Sequence, residues 1–233
     1  MTKSRWVRPT ALTATAAMAS VCAIAMCAGY LVARYHALPD LLVVHFQRNG
    51  RPNGWQYKTW ARVLMPVFVQ LALMSTLGIV AALLLSRPHG DHDSDAPDVR
   101  AAATAAEAVV LLATIWILVQ AFGAFAITQM WQRQAPGLVG FGAAELLGLA
   151  LTVVVAVRAH LRLGRPAPRP FVPEHWRFGQ LYNNPADPAL FVPTRNGTRW
   201  TLNFGRPVAA ALMGVILAVG VVAPALILAL SLR

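Results

Sequence analysis

The chain has 233 residues, of which 57% are hydrophobic and only 12% charged, with a formal net charge of +11. Ordinary soluble domains carry roughly 25% charged residues, so a water-soluble core does not account for this balance. The basic residues are strung along the flanks of apolar runs without any nucleic-acid-binding motif, which excludes nucleic acid and points to anionic lipid as the counterpart of the charge.

Five apolar runs follow one another, at residues 10–33, 61–85, 105–129, 137–157 and 208–230. Each is about 20 residues or longer, enough at about 1.5 Å per residue to cross a hydrocarbon core of about 30 Å. The expected fold is an all-α integral membrane protein with about five transmembrane helices, a short outer hairpin-like loop and a small cytosolic β-hairpin segment. The first run follows Lys3, Arg5 and Arg8 in the manner of a signal peptide, but it is too long and lacks a small-residue cleavage site, so a retained anchor is expected. Cys22 and Cys27 lie five positions apart on that helix, on different faces and too distant for a disulfide.

Loop charge sets the expected orientation. Lys3, Arg5, Arg8, Arg87, Arg100, Arg158, Arg162, Arg165, Arg169, Arg177, Arg195, Arg199 and Arg206 fall on one side, 13 in all, against seven on the other. This places residues 1–9, 86–104 and 158–207 in the cytosol of a bacterial plasma membrane, and residues 34–60, 130–136 and the C-terminal 231–233 outside. Tyr30, Tyr35, Trp55, Tyr57, Trp60 and Trp131 then form an aromatic belt at the outer interface. The loop from Arg87 to Arg100 holds His89, Asp91, His92, Asp93, Asp95 and Asp98; it reads as a solvated linker rather than a metal site, since nothing sets a ligand geometry. No internal repeat is visible, and five spans do not divide into two inverted halves.

In the outer loop a β-prone stretch, Leu41 to Phe46, precedes two turn signals, Asn49-Gly50 and Asn53-Gly54, predicting a compact hairpin. Leu38, Pro39, Asp40, His45, Phe46, Gly50, Asn53, Gly54, Trp55 and Lys58 together resemble the pattern of bacterial multi-pass membrane proteins carrying a domain of unknown function. This chain has Val43 where that family usually has proline and Gln47 where it usually has Asn or Asp. The best-known relatives are immunity proteins against a secreted sporulation-delaying peptide toxin that also signal by capturing a repressor at the membrane. The resemblance implies a receptor or immunity role but no particular ligand; Asp40, His45, Phe46, Trp55 and Lys58 of this loop are the candidate ligand-binding set. Asp40 and His45 would either pair with each other or satisfy the local backbone and hairpin.

After the fourth run, Pro166, Pro168 and Pro170 alternate with arginines, a helix stop followed by a stiff connector. Leu190 to Thr194 and Trp200 to Phe204 flank Asn196-Gly197 and predict a two-stranded hairpin, with Trp176, Tyr182, Phe191, Trp200 and Phe204 packing together or on the membrane interface. The pattern from Trp176 through Asn184-Pro185-Ala186-Asp187-Pro188 to Trp200-Thr201-Leu202-Asn203 resembles a second small domain of unknown function. Arg177, Arg195, Arg199 and Arg206 would dock an acidic regulatory partner or lipid headgroups, or simply anchor the segment.

Within the spans, Gln70, Gln120 and Glu145 lie at similar depth and are expected to form one polar layer, either interhelical glue or a proton or cation site. Gly140, Ala144 and Gly148, and Ala210, Gly214 and Ala218, repeat at a spacing that favours close helix packing or a homo-oligomer. Zinc-protease, nucleophile-elbow and phosphate-loop motifs are missing, and Glu145 is read without a second intramembrane carboxylate, so neither an enzyme nor a cofactor is expected. The leading expectation is a non-enzymatic receptor or immunity regulator sensing an extracytoplasmic peptide; the alternative is a small proton- or cation-coupled transporter or channel built on Glu145.

Overall fold

Apolar runs this long must satisfy their backbone hydrogen bonds internally in lipid, and helices do so. A computed structural model of the chain describes residues 6–47, 52–86, 97–133, 141–166 and 169–218. Among them are four helices long and apolar enough to cross a membrane. The protein is an all-α membrane protein, with three small antiparallel strand pairs among the described residues.

Helix α1 spans Ala11–Arg34. It leads through a 3-10 turn, Tyr35–Ala37, into strands β1 (Leu41–Phe46) and β2 (Pro52–Tyr57). A short helix α2, Trp60–Val63, starts at the Thr59 cap, whose side chain accepts the Arg62 N–H. Leu64 interrupts it before α3, Met65–Leu85. Pro66 offers no N–H at the start of α3, and the predicted run 61–85 is interrupted near its beginning.

Helix α4, Pro97–Arg133, has 37 residues and begins well ahead of the predicted run at 105. Proline at its first position, Asp98 in the first turn and the alanines at 101–103 favour a helix without adding strong hydropathy, so an apolar-run criterion passes them over. Helix α5, Phe141–Leu163, likewise continues past the predicted end at 157, carrying Arg158 and Arg162 on its last turns. Strand pairs β3 (Trp176–Arg177) with β4 (Leu181–Tyr182) and β5 (Phe191–Pro193) with β6 (Trp200–Leu202) follow, then α6, Pro207–Leu217. The rest of the fifth predicted span with Pro224, the His/Asp linker at 87–96, the Asn49-Gly50 turn, Gly140, and the N-terminal Lys3 and Arg5 lie outside the described residues.

The chain divides into two compact units. One holds the described residues within 14–75 and 110–156. Its core joins Cys27, Leu31, Leu38, Leu42, Val63, Val67, Ala124, Met130 and Trp131, so the first hairpin is packed onto helix ends. Polar contacts bind its helices: the Ser20 and Thr114 hydroxyls lie 2.9 Å apart, and Gln129 donates to the Tyr30 hydroxyl at 3.1 Å. Gly148 of α5 stands against Val119 of α4, where a Cβ would come within 2.9 Å of the valine side chain. The other unit holds the described residues within 1–13, 76–109 and 157–233, including the C-terminal strand pairs. There Val7, Val99 and Ala102 form a core against which Leu85 and Phe191 pack.

Candidate functional sites

The first hairpin is built from its motif residues. Leu42 is fully buried, while its neighbours Leu41 and Val43 stand opposite Tyr57 and Trp55 in the ladder, so these two cross-strand pairs share the other face. The register slips at His45, which faces Gly54. A Cβ at position 54 would lie 2.9 Å from the His45 Cβ, so glycine is required there by this close approach. Asn53-Gly54, expected as a turn, is instead part of β2, because the ladder sets Gly54 opposite His45; His45 Nδ1 there makes a short hydrogen bond with Asn53 Oδ1.

Lys58 closes the hairpin from below. Its ammonium donates to the Leu38 carbonyl at 2.8 Å, lies 3.4 Å from the Asp40 carboxylate and sits over the Tyr35 ring at 5.3 Å. Tyr35 in turn stacks on Trp60 at 3.6 Å. The Trp131 indole N–H from α4 donates to the Val43 carbonyl at 2.9 Å. The structure therefore does not pair Asp40 with His45. Asp40 turns to Lys58 and His45 to Asn53, because the strand register sets His45 opposite Gly54 and beside Asn53. The Phe46 side chain lies outside the described residues; Trp55 is exposed. Gly54→Ala is expected to destabilise the hairpin by about 1–3 kcal/mol through this overlap, against no change for Gly142→Ala, whose Cβ meets nothing within 4 Å. Thermal melting in detergent checks both.

The expected polar layer is not assembled. Gln70 is fully buried but donates to the Ile117 carbonyl at 3.2 Å, and its Oε1 has no partner among the described residues. Gln120 is half-buried and Glu145 is exposed on α5 beside the exposed Leu146 and Leu147. No hydrogen bond among the described residues links the three. Equal depth in the bilayer brings side chains together only when the helices also turn them inward, and α5 turns Glu145 away.

Unlike Glu145, Glu107 is a buried carboxylate within a long helix. Glu107 of α4 has one oxygen accepting from the Thr10 hydroxyl at 2.5 Å, and the other from Arg158 at 3.0 Å and Arg162 at 2.5 Å. It is a second carboxylate inside the third apolar run, contrary to the expectation that Glu145 stood alone. The signal was available: Arg158 and Arg162 at i, i+4 share one helix face, and an acidic residue two positions inside an apolar run needs such partners.

In the C-terminal segment the expected hairpin forms, with Phe191, Val192 and Pro193 opposite Leu202, Thr201 and Trp200. Asn196 accepts from the Thr198 N–H and from the Thr194 and Thr198 hydroxyls, and Gly197 takes a positive φ of 66° in the turn. The five aromatics do not all gather in one cluster. Trp176 and Tyr182 meet edge to face at 5.3 Å, whereas Phe191 joins the core with Val7 and Val99, and Trp200 donates to the Leu163 carbonyl at the end of α5. The strand pair β3–β4 was not expected, since two-residue strands leave no periodic signal.

Asn203 holds this segment together. Fully buried, it donates through Nδ2 to the carbonyls of Asn184, Asp187 and Ala189 at 2.9, 3.1 and 3.2 Å. Its Oδ1 accepts from the backbone N–H of Asn184 at 3.1 Å and of Gly205 at 3.0 Å. Asp187 caps Ala189 and accepts from the Tyr182 hydroxyl and Arg169. Burial is the first cause that pushes the Tyr182 phenol above its ordinary pKa. Arg177, Arg195 and Arg199 are exposed, Arg195 lying over the Phe171 ring at 4.6 Å, and Arg206 is half-buried. The cavity between Arg169, Phe171, His175, Trp176, Tyr182 and Arg195 is about 50 Å³, room for one or two waters and not for an organic ligand. Among the described residues no three His, Cys, Asp or Glu side chains come together in a way that would hold a metal.

Two family models match the chain. One is a domain of unknown function, DUF1648, over residues 22–69, which contains the whole first hairpin. The other is a family of unknown function, DUF5808, over residues 185–209, which contains Asn203 and Gly205. Comparison with curated proteins and with solved structures gave no match. The chain is thus a multi-pass membrane protein in which two short segments match families without an assigned role.

Proposed function

We propose that the protein is a non-enzymatic receptor or immunity-type regulator of the bacterial plasma membrane, whose first hairpin lies outside and offers Leu41, Trp55 and Tyr57 to an extracytoplasmic peptide. The exposed face itself carries this reading: Tyr57 is 74% exposed, Trp55 56% and Leu41 51%, on one side of a ribbon whose other side is packed in the core. Rigidly mounted aromatics give large contact area at little entropic cost, the property of binding hot spots. Asp40, His45 and Lys58 make their bonds within the hairpin and act as its frame. The likeness of residues 38–58 to immunity proteins for a secreted peptide toxin makes an apolar peptide the ligand class to test. Arg177, Arg195, Arg199 and Arg206 would then face a cytosolic regulatory protein.

A membrane-impermeant maleimide is expected to label Tyr57→Cys in intact cells when Cys22 and Cys27 are replaced by alanine. A photo-crosslinking residue at position 57 should give a discrete peptide adduct. Trp55→Ala should weaken capture by about 30-fold, in line with about 2 kcal/mol for a central aromatic, while Glu145→Gln leaves it unchanged. Crosslinks to lipid alone would overturn the receptor reading. Loss of function in Glu145→Gln with none in Trp55→Ala would move it to proton- or cation-coupled transport.

A further inference from the structure

We propose that Arg158 and Arg162, held in place by Glu107, form a binding fork for a phosphate group such as the phosphodiester of an anionic lipid headgroup. The two arginines are four residues apart on one face of α5, and both bond the same oxygen of Glu107, at 3.0 and 2.5 Å. Glu107 itself is buried, its side chain 4% exposed, while the side chains of Arg158 and Arg162 remain 47% and 45% exposed. Each guanidinium carries five N–H donors and, among the described residues, gives one to Glu107, while about half of each arginine side chain is open to solvent. Two guanidinium charges against one carboxylate leave the cluster at +1, which a single anionic group would neutralise.

A planar fork with paired donors matches phosphate oxygens in a way a lysine does not. Glu107 does for the arginines what a supporting carboxylate does for any binding side chain: it selects one rotamer before the ligand arrives. Val157 and Leu161, exposed on the same end of α5, offer apolar surface next to the fork, as a lipid needs below its headgroup. The last carbonyls of a helix repel an anion, and here the Trp200 indole N–H covers that of Leu163 at 3.2 Å.

The test uses the full-length protein in nanodiscs of phosphatidylcholine doped with phosphatidylglycerol, reading retained lipid by native mass spectrometry. The wild type is expected to retain phosphatidylglycerol preferentially, and Arg158→Gln and Arg162→Gln each to reduce that retention about fivefold. Glu107→Gln separates positioning from bulk charge: it raises the net charge, so simple attraction predicts more lipid, whereas loss of the preset fork predicts less. Competition by inorganic phosphate at constant ionic strength, with no preference among lipids, would assign the fork to soluble phosphate. Equal retention in the wild type and both arginine variants, with melting temperatures unchanged, would overturn the proposal.

Discussion

Asn203→Ala is expected to unravel the C-terminal strand pairs while the long helices persist. The side chain is fully buried and satisfies three carbonyls and two N–H groups at once. A buried polar group left unpaired costs about 1–3 kcal/mol, and water entering the opened segment recovers part of this, so a net loss of about 3–5 kcal/mol is expected. Strand pairs of two and three residues have no comparable reserve. Asn203→Asp should be at least as damaging, because it turns a second oxygen toward the carbonyls of Asn184, Asp187 and Ala189. Gly205→Ala should resemble it, since a Cβ there would fall 2.5 Å from the Asn184 backbone. Trypsin cleavage at the exposed Arg177, Arg195 and Arg199 in the purified full-length protein measures the effect. Cleavage rates equal to wild type in Asn203→Ala would show that this asparagine is not the keystone.

Glu107→Ala is the second large effect. Removing one partner of a buried ion pair usually costs about 3–5 kcal/mol, because the remaining charge is stranded. Here the arginines are about half exposed and can turn to water, so a smaller loss of about 1–3 kcal/mol is expected. Glu107→Gln, whose one oxygen can still accept from a guanidinium while its amide N–H donates to the Thr10 hydroxyl oxygen, should lose less than Glu107→Ala. A double-mutant cycle of Glu107→Ala with Arg162→Ala, followed by thermal melting in detergent, should show strong coupling. Additive losses would mean that the three side chains are neighbours without being partners.

Much of the fold was legible because membrane helices are written in composition: a run of apolar residues long enough for the bilayer has few other ways to satisfy its backbone. The turn at Asn196-Gly197 was legible for a similar local reason, since few residue pairs tolerate those backbone angles, whereas Asn53-Gly54, read as a second turn, lies inside β2, where Gly54 is paired with His45. The helix ends were not. α4 starts in alanines, which are good helix formers but weakly apolar, and α5 runs on through Arg158 and Arg162 because Glu107 supplies their counter-charge.

The candidate sites divide along the same line. Residue type alone nominated Asp40, His45, Trp55 and Lys58, yet the register of β1 on β2 decided that Asp40 meets Lys58, that His45 meets Asn53, and that Trp55 stands opposite Val43 on the face away from the buried Leu42. Depth along each helix suggested a layer of Gln70, Gln120 and Glu145, but rotation about the helix axis turned Glu145 outward and Gln70 toward the Ile117 carbonyl. By itself the sequence determined that the chain enters a membrane as helices and that Asn196-Gly197 makes a turn, since these follow from burying apolar surface and from local backbone geometry. Which carboxylate is buried, which arginines it holds and which aromatics face out belonged to the tertiary structure, because such pairings depend on the register and rotation of elements far apart in the chain.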